Sequence, residues 1–148
     1  MKAAMFMHLI GAVIWIGGMF FAYFALRPAA VSLEPAQRFA LWVATLERFF
    51  RWVWISIALI LGSGFYMLAA IAQVTRVPLN IHAMLYVGVL MTLIFAYVFL
   101  LPFAALKQAV AGRDWEAGAA ALATIRKAVA VNLALGLANV AVATMGQL

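Results

Sequence analysis

Residues 3–26, 52–71, 79–101 and 128–145 form four apolar stretches. Each is long enough to cross a hydrocarbon core about 30 Å thick, which takes roughly 20 helical residues at 1.5 Å each. In lipid every backbone N–H and C=O must find its partner within the segment, so each stretch must be a helix. Composition agrees: 70% of the 148 residues are hydrophobic and only 9% are charged, too few polar groups to clothe a soluble domain. The expectation is an all-α membrane protein, a single domain over residues 1–148. Connections short enough to join antiparallel neighbours then make it a four-transmembrane-helix bundle of up-down-up-down topology. The first stretch follows a single Lys2 and is too long for a signal peptide, and no small-x-small cleavage site follows it, so it reads as retained.

Basic residues set the orientation. Arg27, Arg38, Arg48 and Arg51 lie between the first two stretches and Lys107, Arg113, Arg126 and Lys127 between the last two, against Lys2 and Arg76 on the other side. The positive-inside rule places the majority in the cytoplasm and both termini outside. The net charge of +6 therefore reads as contact with lipid headgroups, and nucleic-acid binding is excluded as a function class. The bundle's one assured partner is the lipid bilayer.

The connections carry helix signals of their own. Ser32-Leu33-Glu34-Pro35 predicts a helix start with a hydroxyl cap and an early proline, and no glycine or proline interrupts residues 36–61. Pro102 predicts a kink in a third helix ended by Gly112, and Asp114 a cap for the fourth. Gly11, Gly17, Gly18, Gly62, Gly64, Gly88 and Gly136 offer close helix contacts, and Asn132 and Asn139 put two amides on one face of the fourth helix for bonds across the bundle.

Histidine is the least expected residue inside such a span, because hydrocarbon supplies no partner for its ring nitrogens. The chain has two, His8 and His82. Each lies a few residues inside the outer end of its helix, roughly 5 to 8 Å below the edge of the core. In a simple bundle the first and third helices are diagonal, with axes roughly 12 to 14 Å apart. That span suits two imidazoles with one iron between them. The first reading is accordingly haem b held by His8 and His82. Gly11 and Ala12 leave room for a flat macrocycle, Trp15 and Met19 continue the face of His8, and Tyr86 and Val89 continue that of His82. The second reading is copper. Met5 and Met7 flank His8, Met84 follows His82, and Met67 and Met145 end their helices on the same side, and thioether with imidazole suits Cu(I). A structural role without metal is the third, since methionine is a common gap-filler.

No cysteine is present, so thiolate metal sites, disulfides and covalent haem attachment are excluded. No Ser/His/Asp set, paired catalytic carboxylates or glycine-rich phosphate loop occurs. Arg48, Arg51, Arg126 and Lys127 read as interfacial anchors or as a site for the carboxylates of a tetrapyrrole. Trp52, Trp54 and Trp115 read as interfacial aromatics.

At His8, with Trp15, Gly17-Gly18-Met19 and Arg27-Pro28 behind it, the chain resembles the copper resistance protein D (CopD) family of bacterial inner-membrane proteins. The resemblance continues through Arg48-Phe49-Phe50, Gly64-Phe65-Tyr66-Met67, Met84, Gly88, Arg126 and residues 132–136. The same positions are similar to the related HemJ family, four-helix haem-b proteins implicated in oxidising protoporphyrinogen IX. That pattern has a histidine ahead of Trp and Gly in its first helix, matched by His8, Trp15 and Gly18. It also has a histidine two residues ahead of a lysine in its third; His82 matches, but Met84 stands at the lysine position, which speaks against the oxidase activity. What the CopD resemblance implies is copper handling with periplasmic partners. The function expected is a multi-pass inner-membrane redox protein, a haem-dependent oxidoreductase passing electrons between a quinol pool and an outer acceptor. The alternatives are copper uptake, tolerance or delivery, and a non-catalytic membrane subunit.

Overall fold

The computed structural model describes residues 1–145. Its regular elements are all helical: α1 (Lys2–Phe21), a π-helical turn (Ala22–Leu26), α2 (Arg27–Ala30), α3 (Pro35–Ala72), α4 (Leu79–Leu100), α5 (Pro102–Ala111) and α6 (Trp115–Met145). As continuous runs, Lys2–Ala30, Pro35–Ala72, Leu79–Ala111 and Trp115–Met145 are each long and apolar enough to cross a membrane. The chain is a multi-pass membrane protein. The helices outrun the apolar stretches because a helix need not stop where lipid does. At 1.5 Å per residue α3 reaches about 57 Å, well beyond a hydrocarbon core.

Local chemistry explains the interruptions. Pro28 has no N–H to return to the preceding turn, and the chain meets it through a π turn in which the Arg27 N–H reaches the Ala22 carbonyl. The expected Ser32 cap does not form. Ser32 Oγ instead donates back to the Ala29 carbonyl at 3.1 Å, and α3 begins at Pro35, which has no orphan N–H to satisfy, with Glu34 extended before it. The expected break at Pro102 divides α4 from α5 at Leu101. After α5, Gly112 keeps a right-handed backbone and the positive φ falls on Arg113. The Asp114 N–H then closes onto the Ala109 carbonyl at 2.9 Å, and Asp114 Oδ1 accepts the Ala117 N–H at 3.0 Å, the predicted cap of α6.

The helices associate as two close pairs, α1 with α3, and α6 with α4 and α5, with α1 also touching α6. Along the first pair His8 meets Ser63, Gly11 meets Ser56 and Ile60, and Gly18 meets Phe49, so the numbering falls on one helix as it rises on the other. Along the second, Asn132 Nδ2 donates to the Met91 carbonyl at 3.1 Å and Asn139 Nδ2 to that of Met84 at 3.3 Å, the bonds expected across the bundle. Gly136 seats Ile16 and Met91, tying the two pairs together. Gly17, Gly62 and Gly88 have no neighbour where a Cβ would stand, so close contact is not their role.

The core is aromatic and off-centre. Phe50 packs edge-on against Phe95 and Phe103, with ring centroids 5.2 and 4.9 Å apart, and Phe39 stacks on Trp115 at 5.8 Å. Trp115 therefore belongs to the packing, while Trp52 is exposed. No residue in 1–10, 64–90 or 137–145 is buried. Packing thus fills the middle of the bundle and the end carrying most of the arginines, and thins toward the end carrying the histidines.

Candidate functional site

His8 sits on the stripe of α1 that continues through the buried Gly11, Trp15 and Met19, which turns it toward α3. Its Nδ1 lies 3.1 Å from the Ile60 carbonyl and 3.1 Å from Ser63 Oγ. A carbonyl can only accept, so this nitrogen carries the proton and donates. Ser63 Oγ gives its own hydrogen to the Leu59 and Ile60 carbonyls of its own helix, leaving its lone pairs for the imidazole. The ring rests beside Gly64, where a Cβ would stand 3.4 Å from its Cε1. Ile60, Ser63 and Gly64 together build a shelf that holds the ring by Nδ1 and leaves Nε2 outside these bonds.

His82 is held by a different device. Its Nδ1 lies 3.2 Å from the Pro78 carbonyl, one turn earlier in its own helix. Proline at the helix start leaves that carbonyl at the edge of α4, and the imidazole donates to it. Nε2 is again the free ring nitrogen. The two histidines are thus anchored to separate elements, His8 to α3 and His82 to the head of α4, each through Nδ1.

The surroundings divide. Met67 stands three residues beyond Gly64 and Met5 three before His8, each one turn nearer the end of the bundle. Because the two helices run in opposed register, the two residues fall at about one level along the bundle. Met67 is half-buried and Met5 exposed, as is Met7, while Met84 is half-buried on α4. Among the residues expected to border a macrocycle, Gly11 lies under Ile60 and the Ser56 carbonyl, so its free space is taken up by α3. Ala12 is half-buried. Trp15 is 3% exposed and packs edge-on to Phe95, and Tyr86 is 71% exposed. Among the described residues no group of three or more His, Cys, Asp or Glu could hold a metal ion. Imidazole and thioether are the soft donors among the described residues at this end.

Sequence reading missed the shelf. Ser63 hides between Gly62 and Gly64 in an apolar run, and only its spacing from Met67 links it to His8. It also missed a second feature, at the opposite end. Of Arg48, Arg51, Arg126 and Lys127, Arg126 lines a cavity there, and its companions are Arg27 and Arg38. Arg48 turns onto its own helix, donating to the Ala44 carbonyl.

Neither the curated proteins nor the solved structures contain a match to the chain. A family description, copper resistance protein D, matches residues 43–145, from within α3 to the end of α6. Since that segment is more than half of the sequence, the chain belongs to the copper resistance protein D family.

Proposed function

We propose that the protein handles cuprous ion at the histidine end of the bundle, taking it from the periplasmic side, with His8 Nε2 as the nitrogen donor and the Met5 and Met67 thioethers beside it. The observation that carries this reading is the His8 shelf. Imidazoles that bind metal nearly always donate their other nitrogen to a carbonyl or carboxylate, which fixes the ring and raises the basicity of the ligating nitrogen. Here Ile60 and Ser63 perform that task in a place where a histidine has no need of them for packing. Soft thioether and imidazole donors with no carboxylate nearby favour Cu(I) over Zn, Mg or Ca. His82 repeats the imidazole donor at the head of α4. The family to which the chain belongs points to the same cargo.

The test is a titration of the full chain in detergent micelles with Cu(I) against a chromogenic competitor. One tight site is expected, weakened by roughly 100-fold in His8→Ala and by roughly tenfold when Met5 and Met67 are both changed to leucine. Unchanged affinity in His8→Ala overturns the assignment. So does a Soret band in the purified protein that His8→Ala removes, because the imidazole would then be serving haem b and membrane redox chemistry.

A further inference from the structure

At the opposite end the π turn, α2, α3 and α6 enclose a partly open cavity of about 240 Å³. Arg27, Arg38 and Arg126 line it, and none of its lining residues is a carboxylate. Such a cluster of like charges calls for an anion. The rest of the lining is apolar or amphipathic, with Tyr23 and Trp42 next to aliphatic side chains. The positions are prepared. The π turn places Ala22 and Tyr23 on the wall and holds Arg27 over them, with the Arg27 guanidinium 5.3 Å from the Tyr23 ring centroid. Arg38 lies half-buried on the first turn of α3, its guanidinium 5.3 Å from the Phe39 ring centroid. This volume falls short of the roughly 300 Å³ at which pockets begin to enclose a whole drug-sized ligand. It suits a charged head and the first carbons of a chain whose remainder stays in the bilayer.

We infer that this cavity binds an anionic phospholipid, its phosphate held by Arg27, Arg38 and Arg126 and the start of an acyl chain laid against Leu46, Phe49 and Val129. Arginine suits phosphate because its planar fork donates two parallel hydrogen bonds. A soluble organic phosphate shares the headgroup chemistry but leaves the apolar floor without a partner. The site is independent of the copper reading, since it lies at the other end of the molecule and uses none of the same residues.

The experiment is native mass spectrometry of the full chain released from nanodiscs containing equal acidic and zwitterionic phospholipid. Retention of one acidic lipid is expected, falling by about tenfold in Arg27→Gln/Arg38→Gln/Arg126→Gln. The control Arg48→Gln/Arg51→Gln/Lys127→Gln removes the same charge from outside the cavity and should change retention by less than about twofold. Equal loss in both variants overturns the site, because the preference would then be a diffuse surface effect. Displacement of the lipid by millimolar inorganic phosphate or glycerol phosphate also overturns it, in favour of a soluble anion. Should the cavity triple variant fail to fold, the exposed Arg126→Gln alone is expected to lower retention about threefold, and no change in it refutes the proposal.

Discussion

The two ends of this bundle are built on opposite plans. At the arginine end burial runs past the apolar stretches into the connections, where Phe39, Trp42, Phe103, Leu106 and Ile125 are all buried. At the histidine end burial stops at Gly11, Ser63, Met91 and Gly136, and beyond them side chains are half-buried or exposed. Inside lipid there is little hydrophobic force to drive helices together, so close packing must come from shape. The arginine end has it, in interlocked rings and a helix break that lets α5 fold over α3. The histidine end lacks it, and its polar contacts across helices are the bonds of His8 to α3 and of Asn139 to Met84. One end is a scaffold and the other is an open set of donor atoms. That division suits a protein whose ligands at the two ends differ, and it can be tested by substitutions matched across it.

The largest contrast should come from aromatic truncation. Phe50→Ala removes a ring that touches Phe95, Phe99 and Phe103, and is expected to cost about 3 kcal/mol. Phe65→Ala, at an exposed position near the histidine end, should cost less than about 0.5 kcal/mol. Reversible unfolding in mixed micelles would measure both. Comparable losses would mean that the histidine end is packed in the membrane by something other than this chain.

Next in size is helix approach. A Cβ at Gly11 would stand 3.0 Å from the Ser56 carbonyl oxygen and 2.9 Å from Ile60 Cγ1. The backbone oxygen cannot move away as a side-chain tip can. Gly11→Leu is expected to destabilise the α1–α3 pair by about 2 kcal/mol and to pull His8 off its shelf, whereas Gly17→Leu, facing open space, should be nearly neutral. If Gly11→Leu lowered stability without weakening Cu(I) binding, the shelf would not be what holds the metal donor.

The four spans were legible in the sequence because lipid imposes one rule on every residue within them, and length with hydropathy reads that rule directly. Asp114 as a cap, Pro102 as a break and the two asparagines as cross-bundle donors were legible too, each being a local chemical need with one cheap solution. The partner of His8 was not. Depth alone paired it with His82, since both lie near one end, but depth says nothing of rotation about the helix axis. The face shared with Gly11, Trp15 and Met19 turns His8 onto α3. Ser32 failed as a cap for a related reason: its hydroxyl had two chain ends within reach, and it closed the nearer one. The arginine cavity was invisible because its three guanidiniums come from three helices and are 11 and 88 residues apart in the chain.

A smaller effect separates the shelf from the imidazole it orients. Ser63→Ala keeps the imidazole and its bond to the Ile60 carbonyl but removes the second acceptor. Loss of such a supporting contact typically costs 10- to 100-fold in metal affinity. Because the carbonyl remains, the expected loss is at the lower bound, about tenfold in Cu(I) affinity, with stability changed by less than about 1 kcal/mol. Competitive titration beside unfolding would read both. An affinity loss matching that of His8→Ala would make Ser63 itself a ligand.

The smallest expected effect concerns the middle of the bundle, between the two plans. Asn132 is 3% exposed, and only half of its amide is satisfied: Nδ2 donates to Met91, while Oδ1 is buried without a partner. Interhelical hydrogen bonds in membranes are worth about 0.6 kcal/mol on average. Leaving a carbonyl oxygen unpaired in an apolar site costs about as much or more. Asn132→Leu removes both at once, so the two effects offset and the net change should be under about 1 kcal/mol in either direction. The void beside Asn132, shared with Trp15, Phe50 and Phe95, measures about 10 Å³, at the lower bound of what a single water needs. A loss above about 2 kcal/mol in Asn132→Leu would therefore mean that Oδ1 is bonded in the membrane through a water held there. The scaffold would then extend as a polar link from α6 into the void between the aromatic rings, and the boundary between the two ends would lie at Asn132 instead of at the last buried ring.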